Sequence, residues 1–164
     1  MTIRNPAEIQ EILTSNARLM GLDVGTKTIG LALSDTRRII ASPLETIRRA
    51  RFRDDAARIE ALMRTHGVGA LIVGLPIELE GKEGPRCQSV RQFARNLLEA
   101  FGPEIAFWDE RLSTAAVTRG MIEADLTRKR RAEIVDRAAA AYILQGFLDW
   151  QAAVLLDLRS EPNS

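Results

Sequence analysis

Apolar residues near the start of the chain form two short runs joined by a tight polar turn. The runs at 18–24 and 28–34 flank a Gly-Thr-Lys segment, which is typical of two antiparallel strands in a β-hairpin. A third apolar run at 39–47 contains Pro43, which cannot donate a hydrogen bond to a neighbouring strand and therefore predicts an edge strand. Upstream, a proline-opened segment at 6–15 predicts a short helix.

After the third strand, the apolar pattern alternates between a helical period and short continuous runs. Residues that recur every three or four positions predict amphipathic helices, and the short apolar runs between them predict strands. In chain order, these segments are a helix at 53–65, a strand at 70–75, a loop at 78–85, a helix at 88–101, a strand at 104–108, a helix at 114–124 capped by Ser113, a basic linker at 125–131, an alanine-rich helix at 132–156 and a disordered tail at 157–164. This order predicts an α/β fold with a mixed central β-sheet, an antiparallel N-terminal hairpin and flanking helices.

The length of 164 residues predicts one domain, which we place at 18–150, after an N-terminal extension at 1–17 and before a C-terminal tail at 151–164. The apolar share of 46% and the charged share of 27% are those of a soluble globular protein. No apolar run is long enough to cross a membrane, and the N-terminus lacks the apolar core of a signal peptide. The single cysteine, Cys87, excludes an intramolecular disulfide and fits the reducing cytoplasm, where we expect the protein to reside.

Asp23 is an isolated carboxylate at the end of the first apolar run. Gly25 and Gly30 nearby have no side chains, so that a phosphate group or a metal ion could approach closely. A carboxylate in apolar surroundings is costly unless it is paired or bound to a metal. Asp23 is therefore the first candidate functional residue, and the alternative is that it only caps the turn.

Further acids lie at the end of a later strand and on the last helix. Asp109 and Glu110 follow the strand at 104–108, and only one of them should enter a site because successive strand residues point to opposite faces. We select Glu110, with Asp109 as the alternative. Asp136 should face the protein body, because its neighbours four, seven and eleven positions further along the helix are apolar. Those neighbours are Ala140, Ile143 and Phe147. Structural ion pairs, such as one between Glu110 and Arg111, are the alternative interpretation.

The three acids Asp23, Glu110 and Asp136 together suggest a metal site. If the strands that end at Asp23 and Glu110 are parallel neighbours, their carboxylates emerge at the same sheet edge, within reach of the helix that carries Asp136. Three carboxylates repel one another, and Mg²⁺ or Mn²⁺ relieves this repulsion because these ions prefer oxygen ligands. Two such ions can activate a water molecule and stabilise the leaving oxygen in phosphodiester cleavage.

Basic residues cluster in two places, although the net charge is only +1. The first cluster contains Arg48, Arg49, Arg51 and Arg53, and the second contains Arg128, Lys129, Arg130 and Arg131. The second cluster precedes the Asp136 helix, where a nucleic-acid backbone would enter the acidic site. Lys27 in the hairpin turn and Arg111 beside Glu110 are further candidate phosphate contacts. Solvated surface charge and an ordinary turn lysine are the alternative interpretations.

Four motifs, taken in order, resemble the YqgF family, also called RuvX, which is related to the RuvC Holliday junction resolvases. They are Gly-Leu-Asp-Val-Gly-Thr-Lys-Thr-Ile-Gly at 21–30, Ile-Val-Gly-Leu-Pro at 72–76, Asp-Glu-Arg-Leu-Ser-Thr at 109–114 and Val-Asp-Arg-Ala-Ala-Ala-Ala-Tyr-Ile-Leu-Gln at 135–145. The resemblance covers roughly residues 18–149. The first motif alone is weak, because actin-like ATPases also use an Asp-x-Gly-Thr hairpin, but those enzymes need two related lobes.

The resemblance implies an RNase H-like fold and a metal-dependent nuclease whose catalytic acids and metal ligands are Asp23, Glu110 and Asp136. It also implies a structured RNA substrate, the 5′ end of the 16S rRNA precursor, and an association with ribosomal precursor particles. Two alternatives remain open. One is a resolvase acting on branched DNA, which needs two facing active sites and hence a homodimer rather than a monomer. The other is a non-catalytic RNA-binding factor in ribosome assembly.

Overall fold

The computed structural model describes residues 3–112 and 128–160, except for the side chains of residues 128–136. Within these residues, six strands form one sheet: β1 (Ile3–Arg4), β2 (Arg18–Val24), β3 (Thr28–Ser34), β4 (Ala41–Arg48), β5 (Val68–Leu75) and β6 (Ile105–Asp109). The helices are α1 (Ile9–Ile12), α2 (Phe52–His66), α3 (Pro85–Phe101) and α4 (Arg128–Ser160). Short 3₁₀ turns at Pro6–Glu8 and Glu110–Leu112 precede α1 and follow β6.

The strands lie in the order β1-β6-β5-β2-β3-β4. β3 runs antiparallel to β2 and to β4, whereas β2, β5, β6 and β1 are parallel to one another. This arrangement confirms the predicted mixed sheet with an antiparallel N-terminal hairpin. β4 is an edge strand, as Pro43 predicted, and the register of β3 against β4 shifts next to the residue that pairs with Pro43.

Each face of the sheet carries its own apolar core, and the alternation of side chains along β2 shows why. Met20 and Leu22 point to the face that α2 and α3 cover, whereas Leu19 points to the face that α4 covers, and all three are fully buried. The sheet is therefore sandwiched between α2 and α3 on one side and α4 on the other. These two layers leave the ends of the strands as the place where polar side chains can approach the sheet.

The helix ends follow local signals in the sequence. Gly67 and Gly102 end α2 and α3 in the left-handed conformation, with φ of +64° and +63°, which glycine adopts without steric cost. α3 begins at Pro85, three residues before the predicted start. Proline is favoured in the first turn, because its missing N–H group would have no partner there.

The first residues of the chain add a strand that the sequence did not predict. β1 pairs with β6 in parallel, and Arg4 forms an ion pair with Glu104 at 2.6 Å. The helix predicted at 6–15 is only a 3₁₀ turn followed by α1, which ends at Ile12. Its Ile9 is fully buried beneath α4. The third strand also starts later than predicted, at Ala41, because the Asp35 carboxylate accepts the N–H groups of the two preceding residues in a turn.

The C-terminal helix is longer than predicted. α4 already includes residues 128–131, which were assigned to a linker, and continues to Ser160 through part of the predicted disordered tail. Lysine and arginine are good helix formers, so a basic segment need not be a linker. The predicted helix at 114–124 and its cap Ser113 lie outside the described residues. The division into an extension, a domain at 18–150 and a tail stays a prediction.

By length and mean hydropathy, residues Arg137–Ser160 could cross a membrane. However, Ala140, Ile143 and Phe147 on this helix are fully buried against the sheet. Packing in the core of the protein therefore accounts for the apolar residues in the first part of this helix, whereas Leu156 and Leu158 near its end are exposed.

Candidate active site

Three parallel strands end at one edge of the sheet, and the β2–β3 hairpin turn lies at the same edge. Leu22 pairs with Val73 of β5, and the next residue of β5, Gly74, pairs with Trp108 of β6. The condition that the strands ending at Asp23 and Glu110 are direct neighbours is not met, because β5 lies between them. The second part of the condition is met, because the two strands are parallel and end at the same edge.

Asp23 lies near the end of β2 and is only 3% exposed. Its side chain points to the α4 face, because Gly21, two residues earlier, contacts that helix directly. A methyl group on Gly21 would lie 2.8 Å from the carbonyl oxygen of Ala140 and 2.8 Å from Cβ of Leu144. The absence of a side chain at Gly21 thus lets α4 approach the sheet closely, which keeps the Asp23 carboxylate in a confined space between sheet and helix.

Gly74 allows the second acid to reach the same place. A methyl group on Gly74 would lie 3.2 Å from Cγ of Glu110 and 2.5 Å from Cδ1 of Ile143. Glu110 therefore lies over the middle strand, on the α4 face, instead of staying over its own strand. β6 and β2 are two positions apart in the sheet, a separation of about 10 Å. Because Glu110 lies over β5, its side chain is only about one strand spacing, roughly 5 Å, from β2.

Gly74 was not among the residues that the sequence pattern predicted for the site. The signal was present, because a glycine inside an apolar strand often marks a close approach by another group.

The structure also distinguishes between the two neighbouring acids at the end of β6. The carboxylate of Asp109 accepts hydrogen bonds from the backbone N–H of Arg111 at 2.9 Å and from its guanidinium at 2.6 Å. Burial alone would raise the pKa of Asp109, but these bonds outweigh it and hold the pKa below its ordinary value. Asp109 is thus occupied by Arg111, whereas Glu110 is turned towards Gly74 and is 8% exposed.

The site therefore holds two buried carboxylates, from Asp23 and Glu110. Both have interaction partners in the structure. Buried acids are costly without charge compensation, and the two carboxylates supply the hard oxygen donors that Mg²⁺ and Mn²⁺ prefer. Among the side chains that the structure describes, no three acids, histidines or cysteines are grouped to hold a metal ion. Asp23 and Glu110 are therefore suitable as two ligands of a divalent cation, and the predicted third ligand is Asp136.

The side chain of Asp136 lies outside the described residues, although its backbone belongs to α4. The apolar stripe that was used to orient it is confirmed, since Ala140, Ile143 and Phe147 are all fully buried. Asp136 precedes Ala140, the residue that lies over Gly21, by about one helical turn. The side chains of the predicted phosphate contacts Arg128, Lys129, Arg130 and Arg131 also lie outside the described residues.

Two further predicted contacts lie at this edge. Lys27 is exposed at the tip of the hairpin turn. Arg111 is exposed, and its guanidinium is held by Asp109, which raises the pKa of the arginine. The Nη1 atom of Arg111 would lie 3.8 Å from a methyl group placed on Gly81, in the loop between β5 and α3.

The topology and the acidic edge define the class of the protein: it is an RNase H-like α/β domain with buried carboxylates at the ends of its central strands. Comparison with solved structures agrees with this fold. RuvC of Thermus thermophilus in complex with a Holliday junction substrate superposes with a TM-score of 0.52 at 14% identity, over 83% of this chain and 96% of that one.

The sequence comparisons are more specific. Residues 17–150 match the family RuvX, which is described as Holliday junction resolvase. A protein of Paramagnetospirillum magneticum named "Putative pre-16S rRNA nuclease" is 60% identical over 149 residues, which cover 91% of this chain and 96% of that protein. A protein of Roseobacter denitrificans with the same name is 53% identical over 151 residues, 91% of this chain and 93% of the other. The chain belongs to the RuvX, or YqgF, family.

Proposed function

We propose that this protein is a metal-dependent nuclease that processes the 5′ end of the 16S rRNA precursor in the cytoplasm. The observation that carries the proposal is a pair of buried carboxylates at one edge of the sheet: Asp23 on β2, and Glu110, which lies over Gly74 of the adjacent strand β5. The names of relatives that are 53–60% identical support the RNA substrate. Ribosomal precursor particles are the setting in which such an RNA would be met.

Asp23 and Glu110 would hold Mg²⁺ or Mn²⁺, with Asp136 as the third ligand. When bound, such an ion activates a water molecule and stabilises the charge that develops on the phosphate during cleavage. The protein's own contribution is to keep the two carboxylates rigid and largely shielded from water. Lys27, Arg111 and the basic residues at 128–131 would hold the phosphate backbone at the sheet edge.

A second candidate is cleavage of branched DNA, which the description of the RuvX family as Holliday junction resolvase favours. A resolvase must cut two symmetric strands and therefore works as a homodimer. A protein that stays monomeric at the concentration at which it cleaves would contradict this candidate. RNA processing is compatible with either a monomer or a homodimer.

A paired cleavage assay tests the proposal. Wild-type protein and Asp23→Asn are incubated with Mg²⁺ or Mn²⁺ and either a pre-16S RNA fragment or a four-way DNA junction. We expect the wild type to cut the RNA and Asp23→Asn to lose at least about a hundredfold in rate, because a metal ligand contributes several kcal/mol. Asp54→Asn, at an exposed position on α2, is the matched control and should leave the rate unchanged.

The other outcomes are equally informative. RNA cleavage that survives Asp23→Asn at the wild-type rate would contradict the proposed site. Cleavage of the junction alone would assign the protein to the resolvases. If neither substrate is cut but the RNA is bound, a non-catalytic assembly factor becomes the better explanation.

A further inference from the structure

A polar cleft of about 460 Å³ lies beside the hairpin turn, on the opposite face of the sheet from the acidic site. Val24, the neighbour of Asp23 along β2, is one of its lining residues. Because consecutive strand residues point to opposite faces, Asp23 faces α4 and Val24 faces α2 and α3. The cleft and Asp23 thus lie on opposite faces of the sheet, next to the same hairpin turn.

Two arginines give the cleft its charge: Arg49, which directly follows β4, and Arg86 in the first turn of α3. Ser89, Thr26 and Gly25 complete the polar part of its lining. Both arginines are exposed, and neither forms a salt bridge with a carboxylate in the part of the chain that the structure describes. The cleft is therefore a pocket of positive charge that the described protein does not neutralise.

Arg49 is fixed in place by three separate contacts. Its backbone N–H donates to the carbonyl of Lys27 at 2.8 Å, and its Nη1 donates to the carbonyl of Gly25 at 2.7 Å. Its guanidinium carbon lies 5.2 Å from the centre of the Phe93 ring, a cation–π contact. A guanidinium has five N–H donors in a rigid fork. The single hydrogen bond from Arg49 to the carbonyl of Gly25 therefore leaves further N–H donors that can bind a ligand.

The neighbouring acids are already committed elsewhere. Asp55 is buried and accepts the backbone N–H of Ala50 at 3.3 Å, and this bond supports the loop that carries Arg49. Glu83 forms an ion pair with Arg91, which also stacks on the Phe107 ring. Arg91 therefore has a carboxylate partner, whereas Arg86, on the same helix, has none among the described residues.

We propose that Arg49 and Arg86 bind a phosphate of the RNA strand on the far side of the hairpin turn from Asp23. This inference rests on the proposed nuclease function and adds a second anchor to it. A strand that crosses the turn would have one phosphate at the acids and another in the cleft, with Lys27 between them. Two arginines can hold a phosphate through paired N–H donors, which sets the position of the strand but not its sequence.

The test is the binding of a fluorescent single-stranded RNA from the pre-16S 5′ end, followed by anisotropy without divalent metal over a series of salt concentrations. We expect Arg86→Gln to weaken binding about threefold to tenfold and to reduce the slope of log affinity against log salt by about 0.7, as for one lost phosphate contact. Arg86 is preferred over Arg49 because Arg49 also holds the turn.

Arg95→Gln is the matched control, because Arg95 is an exposed arginine on the same helix. Arg95 lies nine residues beyond Arg86, which is about 13 Å along the helix axis and on the opposite side of the helix. This variant should bind RNA as the wild type does. Circular dichroism establishes that both variants are folded.

Unchanged affinity and slope in Arg86→Gln would overturn the inference. Titration with inorganic phosphate separates the two sources of the ligand. If Arg86→Gln loses phosphate binding while RNA binding is unaltered, the cleft holds a free phosphate and the strand anchor is wrong. If the wild type binds and cleaves the RNA and Arg86→Gln binds it equally well, only the inference about the cleft fails. If the wild type does not bind the RNA, both the inference and the proposed function fail.

Discussion

Replacing Gly74 by alanine should damage the site more than the fold. The new methyl group would lie 2.5 Å from Cδ1 of Ile143 and 3.2 Å from Cγ of Glu110. The first distance is a severe overlap, so Ile143, which is fully buried, must move. The second distance is tight enough to push Glu110 away from the middle strand, and with it the carboxylate that we assign to the metal.

The expected loss of stability follows from two opposing effects. Overfilling a packed core costs about 1–3 kcal/mol. Replacing a glycine inside a strand returns roughly 0.5–1 kcal/mol, because alanine has less conformational freedom to lose on folding. The net cost is therefore about 0–2.5 kcal/mol, which for a chain of this size lowers Tm by at most roughly 10 °C. The protein should remain folded at room temperature.

The assay compares Tm and cleavage rate, with Gly69→Ala as the matched control. Gly69 lies on the same strand, and a methyl group there would lie 2.7 Å from Cδ2 of Leu13, at a place where no proposed site residue lies. Both variants should therefore lose stability to a similar degree. Only Gly74→Ala should also lose activity, by about tenfold or more, since displacement of a reacting group by about 1 Å can cost a hundredfold.

Adding Ile143→Val to Gly74→Ala separates the two overlaps, because valine lacks the Cδ1 atom. Part of the lost stability should return, so that the double variant is more stable than the sum of the single changes predicts. Activity should stay low, because the overlap with Glu110 persists. Full recovery of activity, or a Gly74→Ala protein with wild-type stability and rate, would refute the reasoning.

Three further predictions concern packing, the choice of acid and pH. Gly21→Ala should lower the denaturant midpoint more than the β5 substitutions, because its overlap is with a backbone oxygen of α4 that cannot rotate away; an equal or smaller effect would contradict the close packing. Glu110→Gln should lower the cleavage rate by at least about a hundredfold, whereas Asp109→Asn should stay within about threefold; the reverse order would exchange their roles. Arg58 donates hydrogen bonds of 2.6 and 2.9 Å to Glu45 and lowers its pKa below the ordinary 4.5. A lowered carboxyl pKa stabilises the fold above the ordinary value of 4.5, and this stabilisation is lost as the pH falls from 4.5 through the lowered pKa. The Tm advantage of wild type over Glu45→Gln should therefore be small at pH 7 and should shrink as the pH falls below 4.5. A difference that does not change on acidification would count against the pair.

Local patterns predicted most elements and several candidate residues. The hairpin strands have the predicted bounds of 18–24 and 28–34, because a continuous apolar run that is buried on both faces of a sheet is a property of neighbouring residues. The burial of the α4 stripe around Ala140 also followed from helical spacing. Asp23 was found because an acid beside an apolar run needs an explanation.

The order of the strands could not be predicted in the same way. The sequence argument had to assume that β2 and β6 are neighbours, whereas β5 pairs with both of them. Backbone hydrogen bonds between strands are alike for almost any sequence, so the side chains of one strand do not specify its neighbour. The same holds for β1, whose two residues pair with β6 and carry almost no pattern of their own.

The sequence by itself determined which residues are buried, which acids interrupt apolar segments and which family the chain resembles, because these are properties of short stretches of chain. Tertiary structure decided what those residues meet. It placed β5 and Gly74 between the two acidic strands, turned Glu110 rather than Asp109 to the α4 face, and brought Arg49 and Arg86 to one cleft from distant segments. Such contacts join residues far apart in sequence, so they exist only once the sheet has formed and the helices have packed against it.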